Sequence, residues 1–174
     1  TILAIHGGGI EPATTELAYT IAHRGDYNYF SFKGMRSKGN NELHVTSTHY
    51  DDQIALDLVR GSQRTVAIHG CEGNESVAYI GGSDDRLIEL ITESLEDIGI
   101  SVREAPHHIS GTQENNIVNM TQTQGGVQLE LTAQLRKELF KNRKSSRKNR
   151  ENKDNWDDLM YDFADAMKKA IERA

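Results

Sequence analysis

The sequence predicts an α/β fold with a mixed, largely parallel central sheet flanked by helices. Short β-branched and apolar runs that end at glycine, at residues 1–5 and 65–68, are typical of buried parallel strands. Helical segments alternate with these runs, and residues 85–98 show the clearest apolar repeat at helical spacing. Strands that alternate with helices favour a parallel sheet covered on both faces.

The predicted elements follow one another along the whole chain. Strands are expected at 1–5, 27–32, 43–47, 65–68, 77–80, 101–104 and 127–131, because β-branched or alternating apolar residues stand there between turn residues. Helices are expected at 12–23, 51–60, 85–98, 132–140 and 156–173. The first helix is expected to have Glu11 at its N-cap and Pro12 at its first position. Residues 106–124 are polar and predict a long loop.

The length predicts one domain over residues 1–174, with a basic linker at about 141–153 and a C-terminal helix at about 155–173. Six of the ten residues from Lys141 to Arg150 are basic. Such a run is typical of a flexible solvated linker, and its functional alternatives are binding of a polyanion or contact with nucleic acid. The absence of interleaved aromatic residues and the net charge of −6 argue against nucleic acid as a partner.

The composition narrows the class of protein further. A single cysteine, Cys71, excludes an internal disulfide and a zinc site of four thiolates. No apolar stretch is long enough to span a membrane, so no membrane partner is expected. The chain opens on a core strand without an initiator Met, which predicts further residues upstream.

A four-residue phrase occurs twice, as Ala4-Ile5-His6-Gly7 and as Ala67-Ile68-His69-Gly70. Each copy places a histidine at the carboxyl end of a strand, which is the edge where open α/β sheets hold ligands. Glu11 follows His6 across a glycine turn. A lone histidine at a strand end is usually structural, but two in matching contexts with a nearby acid favour a metal. Two histidines and a carboxylate are the ligand set of a catalytic zinc with an open fourth position.

Two further motifs bear on the reaction. His-Gly-Gly-Gly also forms the oxyanion hole of lipases, but the Gly-x-Ser-x-Gly elbow that these enzymes need is missing from the chain. In residues 127–131 apolar side chains alternate with Gln128 and Glu130. An edge strand with a solvated face would give this pattern. Beside a metal, the Glu130 carboxylate would act as a general base and pass a proton to the leaving amine.

Several phrases together resemble the poly-γ-glutamate hydrolase family of phage and Bacillus, which are small zinc peptidases with a carboxypeptidase-like α/β fold. The resemblance runs from His6 to about Phe140. The phrases are His6-Gly-Gly-Gly-Ile-Glu11, Asn41-Glu-Leu-His44-Val-Thr-Ser47, Ala67-Ile-His69-Gly70, Gly81-Gly82, Asn116-Ile-Val-Asn119 and Gly125-Gly-Val-Gln-Leu-Glu130-Leu131. The resemblance implies one Zn²⁺ per chain, with His6, Glu11 and His69 as ligands and Glu130 as the general base.

The resemblance also implies the substrate, the polyanion poly-γ-glutamate. Candidate substrate-binding residues are His44, Asn116, Asn119 and Arg136. Cations are expected near the cleft, with Arg24, Lys33, Arg36, Lys38 and Arg136 as candidates that are equally typical of a solvated surface. The family phrase Asn-Ile-Val-Asn is commonly followed by an arginine, whereas this chain has Met120.

The main interpretation is a monomeric or weakly associated zinc hydrolase that cuts γ-glutamyl amide bonds. One alternative is a zinc amidohydrolase of small N-acyl amino acids, which would differ in how closed its pocket is. The other alternative is a non-catalytic, zinc-dependent protein that binds polyanions, and the intact Gln-Leu-Glu phrase at residues 128–130 argues against it. The location is left open between the bacterial cytoplasm and release from the cell by phage lysis or secretion.

Overall fold

A six-stranded sheet lies between two groups of helices. The computed structural model describes every residue from Thr1 to Ala174. The strands are β1 (Ile2–Gly8), β2 (Tyr29–Gly34), β3 (Val66–Cys71), β4 (Val77–Gly82), β5 (Ser101–Glu104) and β6 (Val127–Thr132). The helices are α1 (Thr14–Gly25), α2 (Gln53–Arg60), α3 (Asp85–Glu96), α4 (Ala133–Glu138), α5 (Arg147–Arg150) and α6 (Asp158–Arg173). None of these helices combines the length and the apolar character that crossing a bilayer requires.

The sheet has the strand order β2-β1-β3-β6-β4-β5. Every neighbouring pair is parallel except β4 and β6, which are antiparallel. The prediction of a mixed, largely parallel sheet flanked by helices is therefore confirmed. Because β1, β3 and β6 are parallel neighbours, their carboxyl ends lie side by side at one edge of the sheet.

Side chains on β1 alternate between two apolar cores. Ile2 and Ala4 belong to the larger core, which α1, α3 and α6 cover. Leu3 and Ile5 belong to the smaller core, which α2 and the turn at 117–119 cover. The alternation is the period of two that a strand imposes, and it shows that both faces of the sheet are buried.

The same alternation separates the core of β6 from its polar face. Val127, Leu129 and Leu131 pack into the larger core. Gln128 and Glu130 therefore project to the other face of the sheet. Glu130 is directly opposite His69 in the register of β3 and β6. The two side chains thus share one face at the carboxyl edge.

Two sequence expectations for local structure are wrong. Residues 43–47 do not form a strand: a 3₁₀ turn at Asn40–Leu43 is followed by irregular chain. This segment crosses the end of β1 instead of pairing beside it, and the Val45 carbonyl contacts His6 there. Helix α1 begins at Thr14, with Ala13 as its N-cap. Glu11 is not a cap, because its side chain contacts histidines and the backbone of β3 instead.

The predicted linker at 141–153 is folded into short helical turns. These are Lys141–Arg143, α5 and Lys153–Asn155. Arg150 in this segment is buried, and its guanidinium contacts the Gly8 carbonyl and the Glu16 carboxylate. The segment therefore packs against the end of β1 and leads into α6. The bounds of α6 are close to those predicted for the C-terminal helix.

The packing of α6 gives a stability prediction. Phe163 on this helix is fully buried in the larger core. Phe163→Ala removes most of a large apolar side chain and leaves a cavity, so it should lower the free energy of unfolding by about 3–5 kcal/mol. Urea unfolding followed by circular dichroism measures this change. Asp162→Ala, at the exposed neighbouring position, is the control. A loss below about 1 kcal/mol for Phe163→Ala would show that α6 is not part of the cooperative core.

Candidate metal centre

Three side chains converge at the carboxyl ends of β1 and β3. His6 Nδ1 lies 3.0 Å from His69 Nδ1 and 3.0 Å from Glu11 Oε1. His69 Nδ1 lies 3.6 Å from Glu11 Oε2. Both histidines are only 2 % exposed. The structure thus brings together the three residues that the sequence analysis names as zinc ligands.

The glycine turn after β1 explains how Glu11 reaches the histidines. Gly8 has φ +65°, and a Cβ at Gly7 would lie only 2.1 Å from Thr15 Oγ1. Side chains at these two positions would therefore strain the turn or clash with it. The turn closes when the Glu11 N–H donates to the His6 carbonyl at 2.8 Å. That hydrogen bond places the Glu11 side chain directly over the end of its own strand.

Backbone groups fix the orientation of two of the three ligands. His6 Nε2 donates to the Val45 carbonyl at 2.7 Å, since a carbonyl oxygen only accepts. The neutral His6 ring therefore carries its lone pair on Nδ1, which faces the other two side chains. Gly70 N–H donates to Glu11 Oε2 at 2.8 Å. Contacts of this outer kind typically orient the ligands of a metal ion.

The donor set fits a zinc ion. In a tetrahedral site with bonds of about 2.0–2.1 Å, neighbouring ligand atoms lie roughly 3.3 Å apart. The separations here are 3.0 Å between the two Nδ1 atoms, 3.0 Å from His6 Nδ1 to Glu11 Oε1 and 3.6 Å from His69 Nδ1 to Glu11 Oε2. The lone pair of His6 Nδ1 and the carboxylate oxygens of Glu11 face one another, and a cation between them would relieve that repulsion. His69 Nε2 is buried without a hydrogen-bond partner, so Nδ1 is the nitrogen that this ring directs at the cluster.

His44 lies in the same cluster, although the sequence analysis expects it to bind substrate. Its Nε2 is 3.3 Å from Glu11 Oε1, and together with His6 and Glu11 it forms a group that could hold a metal ion. Its ring stacks on that of His6, with centroids 3.7 Å apart. Lone pairs of stacked rings run parallel and do not converge on one ion. His44 is also 44 % exposed, so His69 is the better third ligand and His44 lies at the mouth of the site.

The cluster changes the pKa values of its members. Burial raises the pKa of Glu11, but the contacts with the rings of His44, His6 and His69 outweigh burial and hold this pKa well below its usual range. Burial lowers the pKa of His6. Burial also lowers the pKa of His69, but hydrogen bonding to Glu11 and the charge of Glu130 raise it by more. The carboxylate is therefore ionised at neutral pH, as a metal ligand must be.

A chain of buried amides holds Glu130. Gln128 Nε2 donates to Glu130 Oε1 at 3.0 Å and to the Ile109 carbonyl at 3.2 Å. Gln128 Oε1 accepts from Asn116 Nδ2 at 3.0 Å, and Asn116 Oδ1 accepts from the Val118 N–H at 3.1 Å. Glu130 is 6 % exposed, and burial raises the pKa of its carboxyl group. A fixed carboxyl group with a raised pKa is suited to accept and release a proton.

The three candidate ligands, His44 and Glu130 share one cavity of about 350 Å³, which we call the metal cavity. Its remaining walls come from the chain at 46–48 and from the loop at 108–116. Asn116 and Gln128 also line it. No lysine or arginine lines this cavity. Its walls are polar but carry no permanent positive charge.

Two of the predicted substrate-binding residues lie outside the metal cavity. Asn119 is buried, and its Nδ2 donates to the carbonyls of Gly111 and Gln113. Arg136 is buried, and each of its three nitrogens donates to a backbone carbonyl. Both side chains therefore hold loops in place in this structure, and neither presents free donors to the cavity.

Some contributors to the site have no signal in the sequence. The Gly70 N–H that holds Glu11 and the Val45 carbonyl that orients His6 are backbone groups, which any residue would supply. Gln128 was recognisable only as the neighbour of Glu130 on the polar face of a strand. Its hydrogen bond with Asn116 joins β6 to the loop before it, and no local sequence pattern links these two residues. Only the folded chain reveals the contact.

Relatives of the chain occur in Bacillus subtilis strain 168. The SPbeta prophage-derived UPF0714 protein YoqZ is 39% identical over 141 residues, which are 80% of this chain and 51% of that protein. UPF0714 protein YndL is 34% identical over 80% of this chain and 55% of its own length. UPF0714 protein YmaC is 31% identical over 99% of this chain and 72% of its own length. The chain thus spans about half the length of the first two relatives.

Two solved structures are similar over nearly the whole chain. A bacteriophage poly-gamma-glutamate hydrolase is 33% identical with a TM-score of 0.94, over 99% of this chain and 82% of that one. A structure named YNDL-apo (zinc-free) is 31% identical with a TM-score of 0.91, over 98% of this chain and 83% of that one. The model of the family described as poly-gamma-glutamate hydrolase matches residues 1–166. This match covers the metal cavity and most of α6, and the chain belongs to the poly-gamma-glutamate hydrolase family.

Proposed function

We propose that this protein is a zinc-dependent hydrolase that cleaves the γ-glutamyl amide bonds of poly-γ-glutamate. One observation carries the proposal: a buried His-Glu-His cluster with the spacing of zinc ligands shares a cavity with Glu130. Membership of the poly-gamma-glutamate hydrolase family supports the choice of bond and substrate. The similar structure that is named zinc-free supports the choice of metal.

His6, Glu11 and His69 would hold the metal ion in this proposal. When bound, zinc would supply Lewis-acid chemistry, which lowers the pKa of a water molecule and polarises the amide carbonyl. The protein side contributes a rigid donor set. The Val45 carbonyl and the Gly70 N–H fix His6 and Glu11 before any ligand arrives, so binding does not have to order these side chains.

Glu130 would move the proton. Its carboxylate takes a proton from the attacking water and delivers it to the nitrogen of the leaving amine, so that one group acts first as base and then as acid. The raised pKa of the buried carboxyl group favours the first step, because a carboxylate with a higher pKa is a stronger base towards the water proton. Gln128 keeps one oxygen of Glu130 occupied and so directs the other towards the cavity.

The polar walls of the metal cavity distinguish the proposal from its closest alternative. Pockets for small molecules are lined mainly by apolar and aromatic side chains, and the same is expected of a pocket for an N-acyl amino acid. Here the walls include Thr46, Ser47, Thr48 and Gln113, and Ile109 is the only aliphatic side chain among them. Such walls are suited to a polar, extended chain such as a γ-linked polymer of glutamate.

The ligand assignment predicts the metal content. Wild-type protein should retain about one zinc per chain after dialysis, and His69→Ala should lose most of it because one of three protein ligands is removed. Elemental analysis measures both. His108→Ala is the matched control, since His108 lines the cavity without belonging to the cluster. His44→Ala should keep its zinc. Loss of zinc from His44→Ala with retention in His69→Ala would replace His69 by His44 as the third ligand.

The role of Glu130 predicts a loss of turnover with the fold intact. Glu130→Gln keeps the shape and polarity of the side chain but removes the proton acceptor, so kcat on poly-γ-glutamate should fall by roughly 10²- to 10⁴-fold. Zinc content and thermal unfolding should match wild type. Glu114→Gln, an exposed carboxylate in the loop beside the cavity, is the control. Near wild-type turnover by Glu130→Gln would exclude Glu130 as the general base.

The contact between Gln128 and Glu130 predicts a shift in the pH profile. The Gln128 hydrogen bond lowers the pKa of Glu130, against the larger effect of burial. Gln128→Met has a similar length but no donor, so it should raise the pKa of Glu130 further. Because the base must be ionised to accept a proton, the acidic limb of kcat/KM should move to higher pH. A profile with an unmoved acidic limb would show that Gln128 does not tune Glu130.

A further inference from the structure

A second cavity of about 240 Å³ lies on the other side of the glycine turn from the metal cavity. We call it the cationic cavity, and it is defined by the side chains of Lys33, Arg36, Arg147 and Arg150 around the backbone of Gly8 and Gly9. Three distant parts of the sequence form it: the turn after β1, the end of β2 and α5. The basic run at 141–150 thus supplies two of its four cations.

The cationic cavity is charged in a way that the metal cavity is not. Its four cations are opposed by Glu16 and Glu151 in the wall and by Glu42, which pairs with Arg36, so one positive charge is in excess. Arg147 is paired with Glu151 at 2.7 Å, and Arg36 with Glu42 at 2.7 Å. Lys33 is exposed and has no ion pair, so its ammonium group is free to bind an anion.

Arg150 places one of the four cations in the protein interior. It is only 7 % exposed, and its guanidinium donates to the Ser145 and Gly8 carbonyls. Its Nε lies 3.5 Å from Glu16 Oε1 but has no hydrogen-bond partner. A buried cation with unused hydrogen-bonding capacity costs free energy unless something compensates it. An anion in the cavity would provide part of that compensation through its charge.

One loop connects the two cavities. Residues 34–37 and Asn40 line the cationic cavity, and His44 with residues 46–48 lines the metal cavity. The four Cα–Cα steps from Asn40 to His44 can span at most roughly 14 Å. One γ-linked glutamyl residue adds five backbone bonds, or roughly 6 Å when extended. A polymer that leaves the metal cavity along this loop would therefore reach the cationic cavity within about two or three residues.

We propose that the cationic cavity is a remote subsite that binds an α-carboxylate of the poly-γ-glutamate chain, two or three residues from the scissile amide. This proposal rests on the proposed function, since it assumes a γ-linked polyanion in the metal cavity. It explains how a polymer with one carboxylate per residue is recognised by a protein whose metal cavity has no lysine or arginine. Substrates too short to reach the subsite would not benefit from it.

The test compares γ-glutamyl dimers and hexamers as ligands. Binding is measured by calorimetry in the Glu130→Gln background, so that the ligand survives, with Lys33→Gln as the added change. The hexamer should bind about 2- to 5-fold more weakly after Lys33→Gln, which is typical of one solvated ionic contact. The dimer should show no such loss. Lys148→Gln is the matched control, because Lys148 is exposed in the same basic run but does not line the cavity.

Each outcome decides between the alternatives. Equal hexamer binding with and without Lys33→Gln overturns the subsite, and so does an equal loss in Lys148→Gln or for the dimer. Free glutamate that binds as tightly as the hexamer would make the cavity a general anion site and would also overturn it. Failure of the wild-type protein to cleave any γ-linked oligomer would refute the proposed function instead. A hexamer-specific loss of binding in Lys33→Gln would still support the cavity in that case.

Discussion

The carboxylate of Glu11 is the group on which the carboxyl edge of the sheet depends. It contacts His6, His44 and His69 and accepts the Gly70 N–H, so it links β1, β3 and the loop after β2. A buried carboxylate is costly unless it is hydrogen-bonded or paired. Here Oε2 accepts the charge-assisted bond from Gly70 and lies near His69, whereas His6 and His44 lie near Oε1. The same negative charge that keeps these rings together would hold a cation between them.

Arg136 holds in position the chain segments that carry Glu11 and its contacts. Its three nitrogens donate to the carbonyls of Leu131, Pro12 and Cys71, which belong to the end of β6, the turn that carries Glu11 and the end of β3. Gly70 packs against the guanidinium, where a Cβ would lie 2.7 Å from Cζ. The glycine after His69 is thus required by a close approach. One buried cation fixes three chain segments and so fixes the relative positions of Glu11, His69 and Glu130.

The sequence was sufficient for those parts of the site that follow from strand periodicity. His6, His69 and Glu130 stand at or near the ends of strands whose apolar alternation is strong, so both the sheet and the face of each side chain were predictable. The chain at 43–47 was not, because Leu43 and Val45 alternate as in a strand but the segment lies across the sheet edge. Arg136 is a related case. Its charge suggested substrate, and only the folded chain shows that backbone carbonyls from three segments occupy its nitrogens.

The separation of charge between the two cavities bears on how an acidic protein can bind a polyanion. A net charge of −6 repels such a substrate at long range, but at physiological salt this repulsion is screened beyond about 8 Å. Cations close to the bound chain therefore decide the local interaction. In the proposed subsite, the cations of the cationic cavity would supply this interaction beyond the glycine turn, outside the metal cavity.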